Sequence, residues 1–196
     1  MKPYSAACDR NREPILHILR NAFAGARAVL EIGSGTGQHA VFFGEQLPHL
    51  VWYPSDLAEN HEGIRQWLAE AGLSNVMAPL SLDVDMEPWT VPAVDAAFTA
   101  NTLHIVSWPR VERLFRGVAE TLPTGGVFCS YGPFNYNGTY TSESNAQFDL
   151  WLKARDPESA IRDYEAVVDL GIRHGLELQK DHPMPANNRL LQWRKH

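Results

Sequence analysis

Cysteine is nearly absent. Cys8 and Cys129 are the only two, far apart and in no CxxC pattern, so free thiols in a reducing compartment, the cytoplasm, are expected. Long apolar runs are missing too. No window approaches the roughly 20 residues of a membrane span, and the N-terminal MKPYSAACDRNREPILHIL has no apolar signal core. Neither a Lys/Arg run nor a basic balance is present. The formal charge is −6 with both signs interspersed, which argues against a nucleic-acid binder that relies on a broad basic face. The histidines show no HxxxH or HxH spacing, so no metal site is expected. Repeats, low-complexity tracts and linker-like composition shifts are lacking as well, and residues 1–196 read as one domain.

What is there is a balanced composition, 44% hydrophobic and 20% charged, and enough chain for one full core. Ile15, Leu16, Ile18, Leu19 and Phe23 recur at helical spacing over Glu13 to Phe23, with Pro14 suited to a first turn. Strand-like and helix-like segments then alternate. ARAVLEI precedes GQHAVFFGEQL, and LVWYPSD precedes AENHEGIRQWLAEAG, which closes at Gly72. NVMAPLSLDV and VDAAFTAN read as the third and fourth strands. PRVERLFRGVAETL is an amphipathic helix before the fifth strand, VFCSYGPF. Helices are expected near Ala146 to Ala154 and Ile161 to His174, and LELQKDHPM and NRLLQWRKH as paired terminal strands. The pattern predicts an α/β fold: a Rossmann-like, seven-stranded, mostly parallel sheet with helices on both faces and an antiparallel final strand.

The chemistry concentrates after the first strand, in EIGSGTG. Glycines there let the backbone turn tightly and approach a ligand closely, and ligands in such sheets bind beyond the carboxyl ends of the strands. Gly33, Gly35 and Gly37 are spaced G-x-G-x-G rather than the dinucleotide G-x-G-x-x-G. Glu31, just before the loop, suits a ligand carrying positive charge better than a pyrophosphate. Asp56, about twenty residues further on at the end of the second strand, is placed to accept from ribose hydroxyls. Asp83, after the third strand, can accept from an exocyclic adenine amine, and Asn101, after the fourth, faces the same cleft.

E-x-G-x-G-x-G, followed by an acid after strand two and another after strand three, resembles the class I S-adenosylmethionine-dependent methyltransferases. The blocks RNREPIL, LEIGSGTGQHAVFF, YPSD, NTLHIVSW, YGPFNYNG, SNAQFD, IRDYEAV and PMPANNRLLQWRK resemble more closely a methyltransferase-like family catalogued as a domain of unknown function. The class resemblance implies S-adenosylmethionine as cofactor. Gly33, Ser34, Gly35 and Gly37 would then wrap its amino-acid part, with Glu31 at the loop entrance. Asp56 would hold the ribose, Asp83 with Val84 the adenine, and Asn101 would lie near the methionine moiety. The asparagine-proline-proline-aromatic motif of amino-methylating DNA enzymes is missing after strand four, so no nucleic-acid partner is expected.

The acceptor side is read from the later blocks. His104 is a substrate contact or general base, because an unperturbed histidine titrates near neutrality, or a histidine packed under the cofactor loop. Tyr131, Phe134 and Asn135 can form a wall over the methyl group, or the two aromatics can be core. Asn145 and Arg162 follow, the arginine as a bidentate anion clamp or as a tie to Asp163 or Asp149. Asn187 is first a turn residue and second a polar pocket rim. Residues 1–24 are expected to form an N-terminal lid and helix, with Tyr4, Arg10, Asn11 and Arg12 as its polar contacts or, alternatively, as salt-bridge partners on a solvated helix start. The expected protein transfers a methyl group to a small molecule, with O, S, N and carboxylate acceptors open, acting alone or as a homodimer. A non-catalytic S-adenosylmethionine-binding sensor or subunit is the alternative, and a nicotinamide oxidoreductase has the wrong glycine spacing.

Overall fold

A computed structural model describes residues 2–196; Met1 lies outside the described residues. The chain runs α1 (Ala6–Ala22), β1 (Ala28–Ile32), α2 (Gln38–Gln46), β2 (Val51–Asp56), α3 (His61–Ala71), β3 (Leu80–Ser81) and β4 (Ala96–Ala100). It continues α4 (Trp108–Thr121), β5 (Val127–Gly132), β6 (Phe134–Asn135), α5 (Glu143–Arg155), β7 (Arg162–Asp163), α6 (Tyr164–Arg173), β8 (Leu176–Met184) and β9 (Asn188–Lys195). One seven-stranded sheet has the order β3-β2-β1-β4-β5-β9-β8. The five strands from β3 to β5 are parallel, and β9 runs antiparallel to both β5 and β8. The strand order reverses between β1 and β4, which opens a crevice at their carboxyl ends.

Alternation along the strands divides the core in two. Val29, Ala96, Phe98 and Cys129 point to one face and pack with Ile15, Leu19 and Phe43 of α1 and α2. Leu30, Ile32, Ala97 and Phe128 point to the other, against Val111, Phe115 and Val118 of α4 and Val167 and Leu170 of α6. This alternation also fixes where Glu31 goes. Flanked by Leu30 and Ile32, its side chain is directed to the α1/α2 face and is 2% exposed.

Several boundaries differ from the sequence expectation. α1 begins at Ala6, not Glu13, and Pro14 sits inside it. Proline has no N–H and leaves the Arg10 carbonyl without a helical donor, but Ile15, Leu16 and Leu19 just beyond it are fully buried, and that packing offsets the local loss. The third strand shrinks to Leu80–Ser81, with Val76 making only an isolated bridge to Trp52, since Pro79 cannot donate to a ladder. The fifth strand ends at Gly132. Phe134 and Asn135 instead pair with Arg162 and Asp163 in a separate two-stranded ribbon, so the helix expected from Ile161 starts at Tyr164.

Candidate functional site

The glycine loop is held from below by the end of β2. Gly33 and Ser34 donate their N–H groups to the Ser55 carbonyl at 3.0 Å each. Ser55 donates its N–H to Ser34 Oγ at 3.0 Å and its hydroxyl to the Glu31 carbonyl at 2.6 Å. Gly33, Gly35 and Gly37 all have positive φ, 73°, 56° and 87°, a conformation that side chains other than glycine and asparagine rarely take. At Gly33 the reason is also spatial, because a Cβ there would lie 2.7 Å from Thr102 Oγ1.

Asp56 closes the loop from the side. Its Oδ2 accepts the Gly35 N–H at 2.7 Å, and its Oδ1 accepts from Leu57 N at 2.7 Å and Asn60 Nδ2 at 2.8 Å. Asp83 Oδ1 accepts from Asp85 N at 3.0 Å. Asn101 is left-handed at φ 59° and donates its N–H to the Tyr131 carbonyl, a strained backbone at the switch point of the sheet. Gly33, Ser34, Gly35, Asp56, Asp83, Val84 and Asn101 together line one cavity of 420 Å³, with Leu57, Leu82 and Ile32 as its apolar walls. Gly37 stands just behind it as the residue preceding α2.

Glu31 does not reach that cavity. Its carboxylate accepts from Trp52 Nε1 at 2.9 Å inside the α1/α2 face. Burial raises its pKa to about 7, against the Trp52 and Ser34 hydrogen bonds that lower it and with the Asp56 charge adding to the rise. It supports the loop from within the core and is not among the residues that line the cavity.

A second cavity of 820 Å³ adjoins the first and shares Ser5, Asn101 and Ile105 with it. His104, Pro133, Asn145, Phe148 and Trp151 form its walls. His104 is buried edge-on to Phe148 at 5.3 Å between centroids. Burial and then the Arg162 charge push its pKa down to about 4, so the ring is neutral at physiological pH and a weaker base than its type suggests. Tyr131 borders a third lobe of 420 Å³ with Asn11 and Arg10. Burial raises its pKa, partly offset by the adjacent Asn11 amide and the Arg10 charge, so its phenol stays protonated and can donate but not abstract.

Other residues singled out on the acceptor side lie elsewhere. Phe134 is 1% exposed within the α4/α6 core, and Asn135 belongs to the β6–β7 ribbon. Arg162 donates from Nε to the Leu103 carbonyl at 2.9 Å and from Nη2 to the carbonyls of Val106 and Glu158. With its guanidinium spent on three backbone carbonyls it is a brace for the loop after β4, not an anion clamp. Arg12 pairs with Asp9 at 3.0 Å and lies over Phe42, and it lines none of the cavities described above. Tyr4 is exposed, with its hydroxyl on Asp9. Asn187 is, with Ala186, one of two left-handed turn residues of the β8–β9 hairpin, and its carbonyl accepts from Asn145 Nδ2 at 3.2 Å.

The N-terminal segment does run along the site. Ser5 donates its N–H to Gln38 Oε1 at 2.6 Å, and Trp67 Nε1 donates to the Pro3 carbonyl at 2.7 Å. Ser5 and Cys8 thereby border the first cavity, and Ser5, Ala7 and Arg10 the second. Sequence reasoning passed over Thr102, Ile105, Arg110 and Trp151, which also line the cavities. Thr102 and Ile105 follow Asn101 so closely that their place after the fourth strand was a usable signal, whereas nothing in the sequence marks Arg110 or Trp151.

Solved structures place this architecture. An O-methyltransferase family protein from Burkholderia thailandensis superimposes with a TM-score of 0.84 at 17% identity, over 96% of this chain and 57% of that one. An O-methyltransferase family 2 protein from Planctomyces limnophilus, in complex with apigenin, gives 0.77 at 19%, over 87% and 51%. NcsB1, an O-methyltransferase from neocarzinostatin biosynthesis solved with S-adenosylmethionine and 2-hydroxy-5-methyl naphthoic acid, gives 0.79 at 16%, over 97% and 55%. The fold is therefore the class I fold of S-adenosylmethionine-dependent methyltransferases, and the chain spans about half the length of these structures. The chain belongs to the family described as "Protein of unknown function (DUF938)", which matches residues 2–195.

Proposed function

We propose that this protein is an S-adenosylmethionine-dependent methyltransferase acting on a small molecule in the cytoplasm. The observation that carries the reading is the pair of adjoining cavities joined at Asn101: one built from the glycine loop and two strand-end acids, the other walled by His104, Phe148 and Trp151. Both volumes fall in the range of about 300–1,000 Å³ usual for small-molecule sites.

The first cavity fits the cofactor on three counts. Gly35 lines the cavity in a left-handed conformation with open space beside its α-carbon, so a ligand can approach its backbone. Asp83 has one oxygen on Asp85 N and its other without a partner among the described residues. Apolar Leu57, Leu82 and Val84 flank it, as a purine ring needs. Gly33, Ser34, Gly35 and Gly37 would hold the amino-acid part, Asp56 the ribose, and Asp83 with Val84 the adenine. When bound, the cofactor supplies an electrophilic methyl group on a sulfonium.

The chain's own task is alignment and exclusion of water. Asn101 holds the junction through its strained backbone, and Ser5 and Ile105 cover it. Neutral His104 can accept a hydrogen bond from an incoming hydroxyl, thiol or amine, and the Tyr131 phenol can donate one. Both thiols being free, with Cys129 buried, supports the cytoplasmic assignment. Isothermal calorimetry with S-adenosylmethionine and S-adenosylhomocysteine tests the reading. Micromolar binding of both is expected, and no binding of either refutes it.

A further inference from the structure

The second cavity carries a charge asymmetry that its shape alone does not require. Of its lining side chains, Arg10 and Arg155 are basic and Asp156 is the one acid. Asp156 lies beside Arg155 in the chain, and the Arg155 guanidinium also sits over the Trp151 ring at 4.6 Å. Arg10 stands apart from them on α1. Its neighbour Asp9 is taken by Arg12 and Tyr4, and among the described residues Arg10 has no acidic partner. Its guanidinium borders both the second cavity and the Tyr131 lobe, which share Ala7, Arg10, Asn101, Ala186 and Asn188.

The same cavity carries an aromatic wall from α5, with Arg155 over the Trp151 ring. Phe148 and Trp151 stack at 5.7 Å with an interplanar angle of 18°. Trp151 is 50% exposed and Ile105 54%, and both line the same cavity. An apolar wall and a guanidinium without an acidic partner among the described residues, lining one cavity, select for an amphiphilic ligand.

We propose that the acceptor is a small aromatic carboxylate that also carries a ring hydroxyl, thiol or amine, with its ring against Phe148 and Ile105 beside Trp151 and its anionic head on Arg10. The ring heteroatom would take the methyl group as the methyl–sulfonium bond breaks, S-adenosylhomocysteine would leave, and the proton would pass to solvent. This deepens the methyltransferase reading and rests on it for the name acceptor, because His104 and Asn101 line the same cavity as the aromatic wall. A negative head also suits a chain of net charge −6, where a locally positive rim concentrates anions that the rest of the surface repels.

The test compares indole-3-acetate with its neutral isostere indole-3-acetamide, by calorimetry on the protein alone and on the protein saturated with S-adenosylhomocysteine. The acetate is expected to bind about tenfold tighter, the scale for one charge-assisted contact at a partly solvated site. Arg10→Gln, at an exposed position that leaves folding intact, removes that preference. Trp151→Ala weakens both probes equally. Equal affinities in the native protein, a preference that survives Arg10→Gln, or no binding of either probe each overturns the proposal. If S-adenosylhomocysteine itself fails to bind, the methyltransferase reading falls, while the acetate preference of the protein alone still decides whether the cavity recognises aromatic carboxylates.

Discussion

The two cavities that meet at Asn101 are made in different ways. The glycine-loop cavity is built from backbone and strand ends: three positive-φ glycines, Ser55 beneath them and the acids that follow β2 and β3. The Phe148 cavity is assembled from side chains of α1, the loop after β4, α5 and the β8–β9 turn, elements far apart in sequence. A backbone-built site is constrained by φ and by hydrogen bonds that few residues can satisfy, so its sequence is restricted. A site made of side chains brought together by tertiary packing can change its lining while the fold persists. The first region is thus expected to respond to substitution through loop geometry, and the second through what it binds.

The sharpest test of the loop's support is Glu31→Gln. Burial holds the folded-state pKa of Glu31 at about 7, above its ordinary value of 4.5. A raised folded-state pKa means that the stabilising contribution is complete below pH 4.5 and is lost as pH rises through about 7. At about 1.4 kcal/mol per tenfold change in proton affinity, the loss amounts to about 3 kcal/mol. Glutamine mimics the protonated acid, so the variant's stability, measured by denaturant unfolding from pH 4 to pH 8, should decline less over that window than the native protein's. Identical pH profiles would show that Glu31 is ionised throughout.

On the other side of Asn101, His104→Ala should leave S-adenosylhomocysteine affinity unchanged and slow turnover of an accepted substrate about a hundredfold, the scale for misplacing a reactant by about an ångström. The gap it leaves lies under Phe148 and against Gly132, whose added Cβ would stand 3.4 Å from the ring. The native pH profile of kcat/KM should show no inflection near 6.5, because His104 is neutral down to about pH 4. Equal losses in cofactor affinity and turnover would erase the distinction between the two regions.

Asp56→Ala should weaken S-adenosylhomocysteine binding by about 1–3 kcal/mol and also lower the melting temperature, because the same carboxylate holds Gly35, Leu57 and Asn60. Asn60→Ala removes one of those donors and separates the two effects: a drop in stability with affinity nearly kept places the ligand contact on Asp56 itself. Calorimetry and thermal unfolding of both variants read this directly.

The contrast also explains how much was legible in the sequence. Strand alternation, the glycine spacing and the order of Asp56, Asp83 and Asn101 are local signals, and the structure gathers those residues in one cavity. Glu31 was misplaced because a strand end reads as facing a ligand, whereas the pleat turns that position into the core. Phe134 depended on where β5 stops, which Pro133 and the pairing with Arg162 decide. The job of Arg162 depends on carbonyls of Leu103 and Val106, 59 and 56 residues away in the chain, and no local pattern announces such partners. Trp151 and Arg10 acquire meaning only when α5 and α1 are brought to the same opening.

The smallest effect is expected at Arg12, next but one to Arg10 on α1. The sequence groups the two in one polar run, but the helix separates them: Arg10 borders the cavities, while Arg12 lies over Phe42 and pairs with Asp9. An exposed i,i+3 ion pair contributes about 0.5 kcal/mol or less and the contact over Phe42 about 0.5–1 kcal/mol, so Arg12→Ala should lower stability by about 1 kcal/mol. Affinities for S-adenosylhomocysteine and for indole-3-acetate should not change. A loss of indole-3-acetate binding in Arg12→Ala comparable to that in Arg10→Gln would mean that the cavity responds to the charge of the whole N-terminal helix. Two residues apart, the pair therefore measures whether recognition at this opening is set by one guanidinium's position or by net charge alone.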